Sequence, residues 1–364
     1  MRVLHVVSTI SIRSGVMSML MNYYRKIDRD KIQFEFLYFD EREETYEEEI
    51  NSLGGKVIKI ESPTKYFKYR KLINIFFKKN YGKYEIIHIH EIFMSGFLAK
   101  CKKIGGVKKI IVHAHATKFA DKNINNLRNR LLAIPNKFIP DYYFACSKEA
   151  GIYCFGKKFE KNGIVVKNAI DLKKFYPCKQ DKIIIRKELG IENKFVIGHV
   201  GNFLPPKNHK FLIKIFKEVL KKKENSVLVL VGDGYLRKEI EEDIKKYDLE
   251  KSILFLGTRT DVNKIMRIFD CFLFPSLYEG LGIVLIEAQA TNVPCIFSDV
   301  VPADANILKR NNEIISLKEQ ETIWAEKILS LHNKNYRNIH EVITNIGYNI
   351  ESEAKKIMKI YFSL

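Results

Sequence analysis

The chain has 364 residues, about twice the length of a typical domain, which favours two domains that can each bury a core. A content of 46% hydrophobic and 29% charged residues excludes both a disordered chain and a bundle of membrane helices. The net charge of +19 is uneven, with +14 on residues 1–170 and +5 on residues 171–364. The first half is expected to face nucleic acid, acidic lipid or a phosphorylated substrate, unless its lysines form only a solvated surface.

Two features of the sequence bear on its cellular location. No apolar run approaches the roughly 18 residues of a membrane-spanning helix, and residues 1–7 have the pattern of a β-strand rather than that of a signal peptide. The six cysteines are scattered through apolar stretches without a C-x2-C pair, which is typical of reduced core residues. We therefore expect a cytoplasmic protein.

Short β-branched or aromatic runs alternate with longer amphipathic runs along the chain, which is typical of βαβ units around a parallel sheet. The pattern predicts an α/β fold with two doubly wound, Rossmann-like sheets, each binding ligands at the C-terminal ends of its strands. The predicted strands are Arg2–Val7, Gln33–Tyr38, Lys56–Ile60, Tyr84–His90, Lys108–His113, Asp141–Cys146 and Gly163–Val166 in the first half, and Phe195–Val200, Ser226–Val231, Ile253–Leu256, Cys271–Pro275 and Pro294–Ser298 in the second.

The domain boundary is placed after residue 170, where the last strand of the first sheet is followed by a polar stretch. This gives an N-terminal domain of residues 1–170 and a second domain of residues 171–342. A last helix, about Ile343–Tyr361, lies in the C-terminal segment 343–364 and is expected to pack back onto the first domain. A cleft is expected between the two domains.

The strongest chemical signal lies in residues 274–288, where a buried strand, a Pro-Ser turn and a Gly-x-Gly lead into a helix. The glycines let backbone N–H groups approach a ligand. Glu279 lies in the loop at the mouth of the helix, and Glu287 lies a little over two turns further on. An isolated pair of this kind would more simply be a helix-entry acid and a partner for a lysine. The flanking turn and glycines favour a ligand site.

A second loop, Gly201–His209, follows a predicted strand and leads into a helix predicted over Phe211–Leu220. Its lysine, Lys207, can neutralise a diphosphate leaving group with a point charge, as Mg²⁺ does in metal-dependent transferases. The alternative is an exposed lysine at a helix start. The neighbouring 274–288 segment favours the first interpretation.

The pair His113 and His115 ends a predicted strand. Such a pair is more often a metal-ligand pair or a half-buried, satisfied pair than a catalytic one. No Asp, Glu or Cys lies close in sequence to complete a zinc site, so no metal is expected. Two other signals are set aside: Asp28-Arg29-Asp30 matches D-x-D but falls in a predicted turn, and Gly232-Asp233-Gly234 lacks the third glycine of the dinucleotide fingerprint.

The segment Lys65–Lys83 holds seven Lys or Arg and no acid, interleaved with aromatic and aliphatic residues. A basic helix of this kind predicts contact with an anionic membrane surface, where each cation contributes about 1 kcal/mol. The alternative is an apolar face that packs on the sheet. Both hold together if the apolar residues face inward and the lysines face lipid.

The segment 274–288 resembles the E-x7-E signature of the retaining family 4 glycosyltransferases, which have the GT-B fold of two Rossmann-like domains. The resemblance is closest to those that build bacterial capsule, exopolysaccharide or O-antigen. It extends over nearly the whole chain, because other segments fall where that family has recurrent ones. These are Tyr23-Tyr24-Arg25, Ile86–His90, His113-Ala114-His115, Ala145–Lys148, Asn168–Asp171, Gly198–His209, Val231–Gly234 and Phe255–Gly257.

The resemblance implies roles for the residues of the second domain. Glu287 would bind the ribose hydroxyls of the donor and Glu279 a hydroxyl of its sugar. The amides of Gly280, Leu281 and Gly282 would lie near the sugar and phosphates.

The resemblance also bears on the remaining candidates. Asn202 stands where many relatives have arginine, so Lys207 would carry more of the diphosphate charge, with help from Arg259. His115 would contact the donor sugar from the first domain and stabilise the positive charge that builds at the anomeric carbon. The loop that ends at Gly15 would approach the donor phosphates or the acceptor.

The sequence therefore predicts a retaining hexosyltransferase of surface polysaccharide biosynthesis, peripheral on the inner face of the cell membrane. Its donor would be a nucleotide sugar, expected to be a UDP-sugar, and its acceptor a lipid-linked saccharide. The departing diphosphate would accept the proton of the acceptor hydroxyl, so no cofactor or side-chain base is needed. The alternatives are a UDP-sugar epimerase or hydrolase on the same fold, or a nucleic-acid-binding protein, which charge alone favours and no RNP, zinc-finger or helix-turn-helix pattern supports. The oligomeric state stays open.

Overall fold

The computed structural model describes residues 1–42, 44–62, 66–115, 128, 131–331 and 338–364. The chain divides into two compact units. Unit 1 consists of Met1–Ile170 and Gly347–Leu364, and unit 2 consists of Asp171–Ile346. Within the described ranges, no helix combines the length and the apolar character that crossing a membrane requires.

Unit 1 is built on a seven-stranded sheet in which every neighbouring pair is parallel. Its strands are β1 (Arg2–Val6), β2 (Gln33–Tyr38), β3 (Lys56–Lys59), β4 (Ile86–Ile89), β5 (Lys109–Ala114), β6 (Tyr142–Ala145) and β7 (Gly163–Val165). The strand order is β3-β2-β1-β4-β5-β6-β7, so the winding reverses between β1 and β4. Loops diverge at such a point and leave a crevice at the C-terminal ends of the strands.

Helices cover the apolar faces of this sheet. The helices between its strands are α1 (Gly15–Lys26), α2 (Glu47–Ser52), α3 (Tyr66–Lys79), α4 (Cys101–Gly105), α5 (Lys148–Phe155) and α6 (Lys157–Asn162). Serine side chains begin two of them, because the hydroxyl of Ser14 accepts from the Met17 amide and that of Ser147 accepts from the Ala150 amide. Helix α1 contributes Met17, Met21 and Tyr24 to the main core of the unit.

Unit 2 repeats the architecture with a six-stranded parallel sheet. Its strands are β8 (Phe195–Val200), β9 (Ser226–Val231), β10 (Ile253–Gly257), β11 (Cys271–Phe274), β12 (Cys295–Ser298) and β13 (Asn312–Ile315). Its helices are α7 (Lys179–Glu188), α8 (His209–Lys222), α9 (Arg237–Lys246), α10 (Val262–Met266), α11 (Ile283–Ala290), α12 (Glu321–Ser330) and α13 (Ile339–Asn345). The order β10-β9-β8-β11-β12-β13 places the reversal between β8 and β11.

The twelve predicted strands are confirmed to within two residues at each end. The edge strand β13 was missing from the prediction, because its polar Asn312-Glu313 start lacks a β-branched run. The single helix predicted over Ile343–Tyr361 is wrong. The chain instead has α13, then a turn in which Gly347 takes a φ of +86°, and then α14 (Ile350–Ser363), whose first turn is capped by the Asn349 side chain.

Helix α14 belongs to unit 1, whereas α13 belongs to unit 2. Ile350, Ala354, Ile357 and Tyr361 are buried in the same core as the inner face of α1. The last helix is therefore a structural part of the first sheet's covering layer, although it follows the second sheet in sequence.

Candidate functional site

The segment 274–288 runs from β11 through a loop into α11. Gly282 begins the helix with a φ of +81°, a left-handed conformation that a glycine adopts without strain. Leu281 is buried beneath the loop, while Glu279 and Gly280 are partly exposed. The loop thus presents backbone amides and the Glu279 carboxylate at the N-terminus of a helix, where negative charge is favoured.

Glu279 is held by two side chains. Its Oε1 accepts from Lys207 Nζ at 2.6 Å and from Ser276 Oγ at 2.8 Å. The exposed fractions of the Lys207 and Glu279 side chains are only 19% and 11%, so this ion pair is shielded from solvent. The Lys207 ammonium also lies 4.7 Å from the centroid of the Phe274 ring. The predicted lysine and the predicted loop glutamate therefore form one charged unit.

Two backbone-directed bonds explain why these loops meet. Asn208 Nδ2 donates to the Pro275 carbonyl at 3.0 Å, and the Leu277 amide donates to the Pro206 carbonyl at 2.7 Å. Asn208 has a φ of +56°, which asparagine tolerates better than most residues. The strands that precede the two loops, β8 and β11, are neighbours at the reversal point of the sheet. Ser276 and Asn208 were not identified as site residues. Asn208 acts through Pro275, which is distant in sequence, whereas Ser276 bonds to Glu279 three residues on in the same loop.

Glu287 lies on α11, and its environment differs from that of Glu279. Burial raises the pKa of its carboxyl from 4.5 to about 8. Among the described residues, no hydrogen bond or ion pair reaches this carboxyl group. A partly exposed carboxyl without a partner among the described residues can accept hydrogen bonds from ligand hydroxyls or donate to them.

The two other predicted donor-binding residues of this unit lie apart from the ion pair. The exposed Asn202 side chain makes no recorded bond within the described chain. Arg259 donates twice to Asp261, at 2.8 and 2.7 Å, and its side chain is 42% exposed. The Asp261 carboxylate raises the pKa of Arg259. The expected help from Arg259 is thus not seen as a contact with Lys207 or Glu279 in the described residues.

In unit 1, five histidines line one face of β1, β4 and β5 at their C-terminal ends. Three of them form a first row, in which His5 Nδ1 lies 2.9 Å from His90 Nε2 and His90 Nδ1 lies 2.8 Å from His115 Nε2. The others form a second row that starts on α14. There Tyr361 Oη lies 2.7 Å from His88 Nδ1, and His88 Nε2 lies 3.2 Å from His113 Nδ1.

His5, His88, His90 and His113 are buried and His115 is partly exposed, with His113 stacked on His115 at 4.1 Å between ring centroids. Burial lowers the pKa of His5 and of His115 to about 3, and it also holds those of His88, His90 and His113 well below the usual range. The five imidazoles are therefore neutral near pH 7.

Two histidine triplets have ring nitrogens within 4.8 Å of one another and could hold a metal ion. They are His5, His88 and His90, and His90, His113 and His115. Neutral imidazole is a good zinc ligand. However, most nitrogens of the two rows pair directly at hydrogen-bond distances, although His5 Nε2 and His113 Nε2 are buried without a partner among the described residues. The resemblance indicated a role for His115 and not for His5, His88 or His90, although the H-x-H repeat at residues 88–90 and 113–115 could have indicated the shared face.

Gly15 begins α1, at the loop that follows β1. It is exposed, and a Cβ placed there would meet nothing within 4 Å. The loop before it is anchored by a bridge between Ser11 and Thr45. The backbone at Gly15 is therefore accessible to a ligand at a helix N-terminus.

The basic segment of unit 1 forms α3 over Tyr66–Lys79, and Lys83 follows in the turn after the helix. Lys65 lies outside the described residues. Tyr69, Ile73 and Phe77 are buried against the sheet. Two of the predicted lipid-facing lysines are engaged elsewhere. Lys83 donates to the buried Glu35 at 2.7 Å, and Lys68 pairs with Glu61 at 2.6 Å.

The outer side of α3 keeps a group of cations around a surface groove of about 370 Å³. Ile75 is exposed at this groove, with 40% of its surface accessible. The residues that line it are Arg70, Lys71, Asn74, Ile75 and Lys78. The amphipathic arrangement expected of the segment is therefore present on α3, with apolar residues inward and cations outward.

Two doubly wound parallel units in one chain define a two-domain, Rossmann-like α/β protein. The family model described as "Glycosyl transferases group 1" matches residues 181–350. The putative glycosyltransferase EpsF of Bacillus subtilis (strain 168) is 35% identical over 99% of this chain and 96% of its own length. The chain therefore belongs to the group 1 glycosyltransferase family, and it is a glycosyltransferase enzyme.

A second relative and a solved structure extend this result. The UDP-Gal:alpha-D-GlcNAc-diphosphoundecaprenol alpha-1,3-galactosyltransferase of Escherichia coli is 27% identical over 81% of this chain and 79% of its own length. The crystal structure of Anabaena Alr3699/HepE in complex with UDP and glucose matches with a TM-score of 0.78 over 100% of both chains, at 18% identity. The predicted GT-B fold is confirmed.

Proposed function

We propose that the enzyme transfers a sugar, with retention of the anomeric configuration, from a UDP-sugar to a lipid-linked saccharide at the membrane surface, in the biosynthesis of a surface polysaccharide. The donor would bind mainly to unit 2 and the acceptor to unit 1. One observation carries the proposal: the shielded Lys207–Glu279 pair lies in loops of the sheet-reversal point, and α11, which begins beside it, also bears the unpaired Glu287.

This arrangement offers complementary groups for each part of a nucleotide-sugar donor. The carboxyl of Glu287 suits the two ribose hydroxyls. The Glu279 carboxylate, fixed by Lys207 and Ser276, suits a hydroxyl of the transferred sugar. Lys207 and the amides that precede α11 suit the diphosphate, whose negative charge grows as the glycosidic bond breaks.

The same groups support a reaction without a metal ion. The acceptor hydroxyl would attack the anomeric carbon from the face that the diphosphate leaves. Its proton would pass to the departing diphosphate oxygen, so configuration is retained and no side-chain base is needed. Lys207 would stabilise the leaving group in the role that a divalent cation has in other transferases.

Support for a lipid-linked acceptor comes from two sources. The E. coli relative is named for an acceptor on diphosphoundecaprenol. Helix α3 of unit 1 carries the exposed Lys71, Lys78 and Lys79 and the partly exposed Arg70. A cationic helix lowers the free energy of the protein near an anionic leaflet.

The test begins with thermal stabilisation of the purified protein by a panel of UDP- and GDP-sugars. A donor that stabilises the protein is then offered with a polyprenyl-diphosphate-linked saccharide, and the anomeric configuration of the product is determined by NMR. We expect a UDP-sugar to stabilise the protein and to give a retained linkage. Release of free sugar, conversion to an epimer, or an inverted linkage would overturn the proposal.

A further inference from the structure

In the first histidine row of unit 1, all ring N–H groups must point the same way along the row. Three rings form two consecutive contacts, and the ring nitrogens that meet are Nδ1 of His5 with Nε2 of His90, and Nδ1 of His90 with Nε2 of His115. Each contact needs one N–H and one lone pair. A neutral imidazole has one of each, so the middle ring must donate on one side and accept on the other.

Two proton arrangements satisfy this rule, and they differ at the ends of the row. If protons point toward His115, the third N–H lies on His115 Nδ1 and His5 Nε2 is a bare lone pair. If protons point toward His5, the third N–H lies on His5 Nε2 and His115 Nδ1 is bare. The tautomer of His115 is thus coupled to the environment of His5, two strands away in the sheet.

The His5 end distinguishes the two arrangements. His5 is 1% exposed, and its Nε2 is buried without a hydrogen-bond partner in the described chain. The cavity beside the ring measures about 10 Å³, at the lower limit of the space that one water molecule needs. An orphaned N–H is rarer in protein interiors than an unsatisfied acceptor. The bare lone pair therefore belongs at His5 Nε2.

The His115 end of the row is more exposed to solvent than the His5 end. His115 is partly exposed, and its Nδ1 edge makes no hydrogen bond to any residue that the structure describes. The low pKa values of the rings agree with a row that carries no net charge. The N–H that the row delivers is thus on His115 Nδ1, the ring nitrogen of this partly exposed residue that is not engaged in the row.

We propose that His5 and His90 are positioning residues which hold His115 as its Nδ1–H tautomer, so that His115 donates a hydrogen bond to a hydroxyl oxygen of a bound sugar substrate. The role of the sugar rests on the proposed function, whereas the tautomer does not. A fixed hydrogen-bond donor at this position orients the sugar without a change of charge on unit 1.

The direct test is the tautomer itself, measured from ring ¹⁵N shifts of the full chain labelled with [¹⁵N]histidine, with His115 assigned by comparison with His115→Gln. We expect a single Nδ1–H tautomer for His115 in the parent protein, a mixed or Nε2–H tautomer in His90→Leu, and the parental signal in Tyr361→Phe. The last variant is a matched control, because it removes a hydrogen bond from the neighbouring row only. An Nε2–H tautomer in the parent, or equimolar zinc retained by the purified protein, would overturn the proposal.

Kinetics with an identified UDP-sugar provide the second readout. We expect His90→Leu to lower kcat about tenfold or more, with the donor KM changed by less than about twofold. In His90→Asn the amide nitrogen can replace Nδ1–H as the donor to His115, so most of kcat should return. A kcat of His90→Leu within twofold of the parent, or equal losses in the Leu and Asn variants, would contradict the positioning role. If the parent transfers no sugar at all, the proposed function fails, while the tautomer measurement still decides this inference.

Discussion

The two units place different chemistry at the same topological position. At the reversal point of unit 2, a lysine and a glutamate form a shielded ion pair, and the neighbouring α11 carries an unpaired carboxyl. At the reversal point of unit 1, the strand ends carry neutral imidazoles that bond to one another. Similar doubly wound sheets can thus support a charged site and an uncharged one, because the strand-end side chains, and not the fold, determine the electrostatics.

This difference between the two sites predicts that charge contributes more to the site of unit 2 than to the histidine rows of unit 1. In unit 2, removing one member of the ion pair leaves the other without its partner in a shielded site. In unit 1, replacing an imidazole alters hydrogen-bond direction and leaves the net charge near pH 7 unchanged.

The largest effect is expected for Lys207→Ala, which removes the cation proposed to face the diphosphate and leaves Glu279 unpaired. We expect kcat to fall at least about 100-fold, as for loss of a preorganised group that stabilises developing negative charge. Lys210→Ala is the control and should retain activity, because Lys210 is an exposed lysine at the second position of α8. Activity in Lys207→Ala within fivefold of the parent would show that the charged site of unit 2 is not the catalytic one.

The second prediction concerns the cations on α3 of unit 1. Replacing Arg70, Lys71, Lys78 and Lys79 with glutamine should weaken binding to anionic vesicles by up to about 4 kcal/mol, at about 1 kcal/mol for each cation near the lipid surface. Lys68 is left out because it already pairs with Glu61. Cosedimentation at low salt provides the measurement, and raising the salt should reduce parental binding in the same way.

The matched control removes the same charge from unit 2. The variant with glutamine at Lys187, Lys238, Lys245 and Lys246, which are all exposed and form no ion pair within the described residues, should bind vesicles like the parent. Equal losses in both variants would mean that total charge, and not the α3 surface, drives the association. Unchanged binding of the α3 variant would contradict the membrane contact altogether.

Some parts of the fold can be predicted from the sequence and others cannot. The strands were predictable because buried parallel strands are short, apolar and separated by amphipathic runs. β13 was not, because as an edge strand it tolerates polar residues such as Asn312 and Glu313. The break before α14 depends on the positive φ of Gly347, and a helical pattern on both sides conceals it.

The sequence predicts which residues belong to the site, but it does not predict which of them contact one another. Lys207 and Glu279 each stood out in a loop motif, but their pairing depends on β8 and β11 being neighbours, which is set by topology. The histidine rows depend on strand register, since His5 bonds to His90 while its register partner on β4 is His88. One-dimensional spacing does not encode either relationship.

A smaller effect is expected for Glu287→Gln, which tests the unpaired carboxyl. Ionised carboxylates accept stronger hydrogen bonds than neutral ones, so ribose binding should lower the raised pKa of Glu287 and release a proton near pH 7. We expect UDP to bind the parent with proton release, seen by calorimetry in buffers of different ionisation enthalpy. The Gln variant should bind about tenfold more weakly and release none. Equal proton release in both proteins would assign it to another group.

The same carboxyl predicts a pH dependence of stability without ligand. Its pKa in the folded protein is about 8, above the 4.5 of the unfolded chain, so between these values the folded state binds more protons. The free energy of unfolding should therefore fall as pH rises from about 4.5 to about 8, and the fall should be shallower in Glu287→Gln. Parallel denaturation curves for the two proteins across this range would contradict the buried, protonated carboxyl.

The smallest effect is expected from removing metal ions. This test most directly distinguishes the site of unit 2 from the histidine rows of unit 1. If Lys207 and helix N-termini stabilise the diphosphate, transfer in excess EDTA should stay within about twofold of its value in untreated buffer. A loss restored by Mg²⁺ or Mn²⁺ would mean that the donor site of unit 2 needs a cation on the diphosphate, since these hard ions prefer oxygen ligands. A loss restored by Zn²⁺ alone would instead point to the histidine triplets of unit 1, because imidazole suits zinc. The metal that restores activity therefore identifies which of the two sites binds an ion. Activity that is unaffected by chelation supports a metal-independent ion pair in unit 2 and hydrogen-bonded histidine rows without an ion in unit 1.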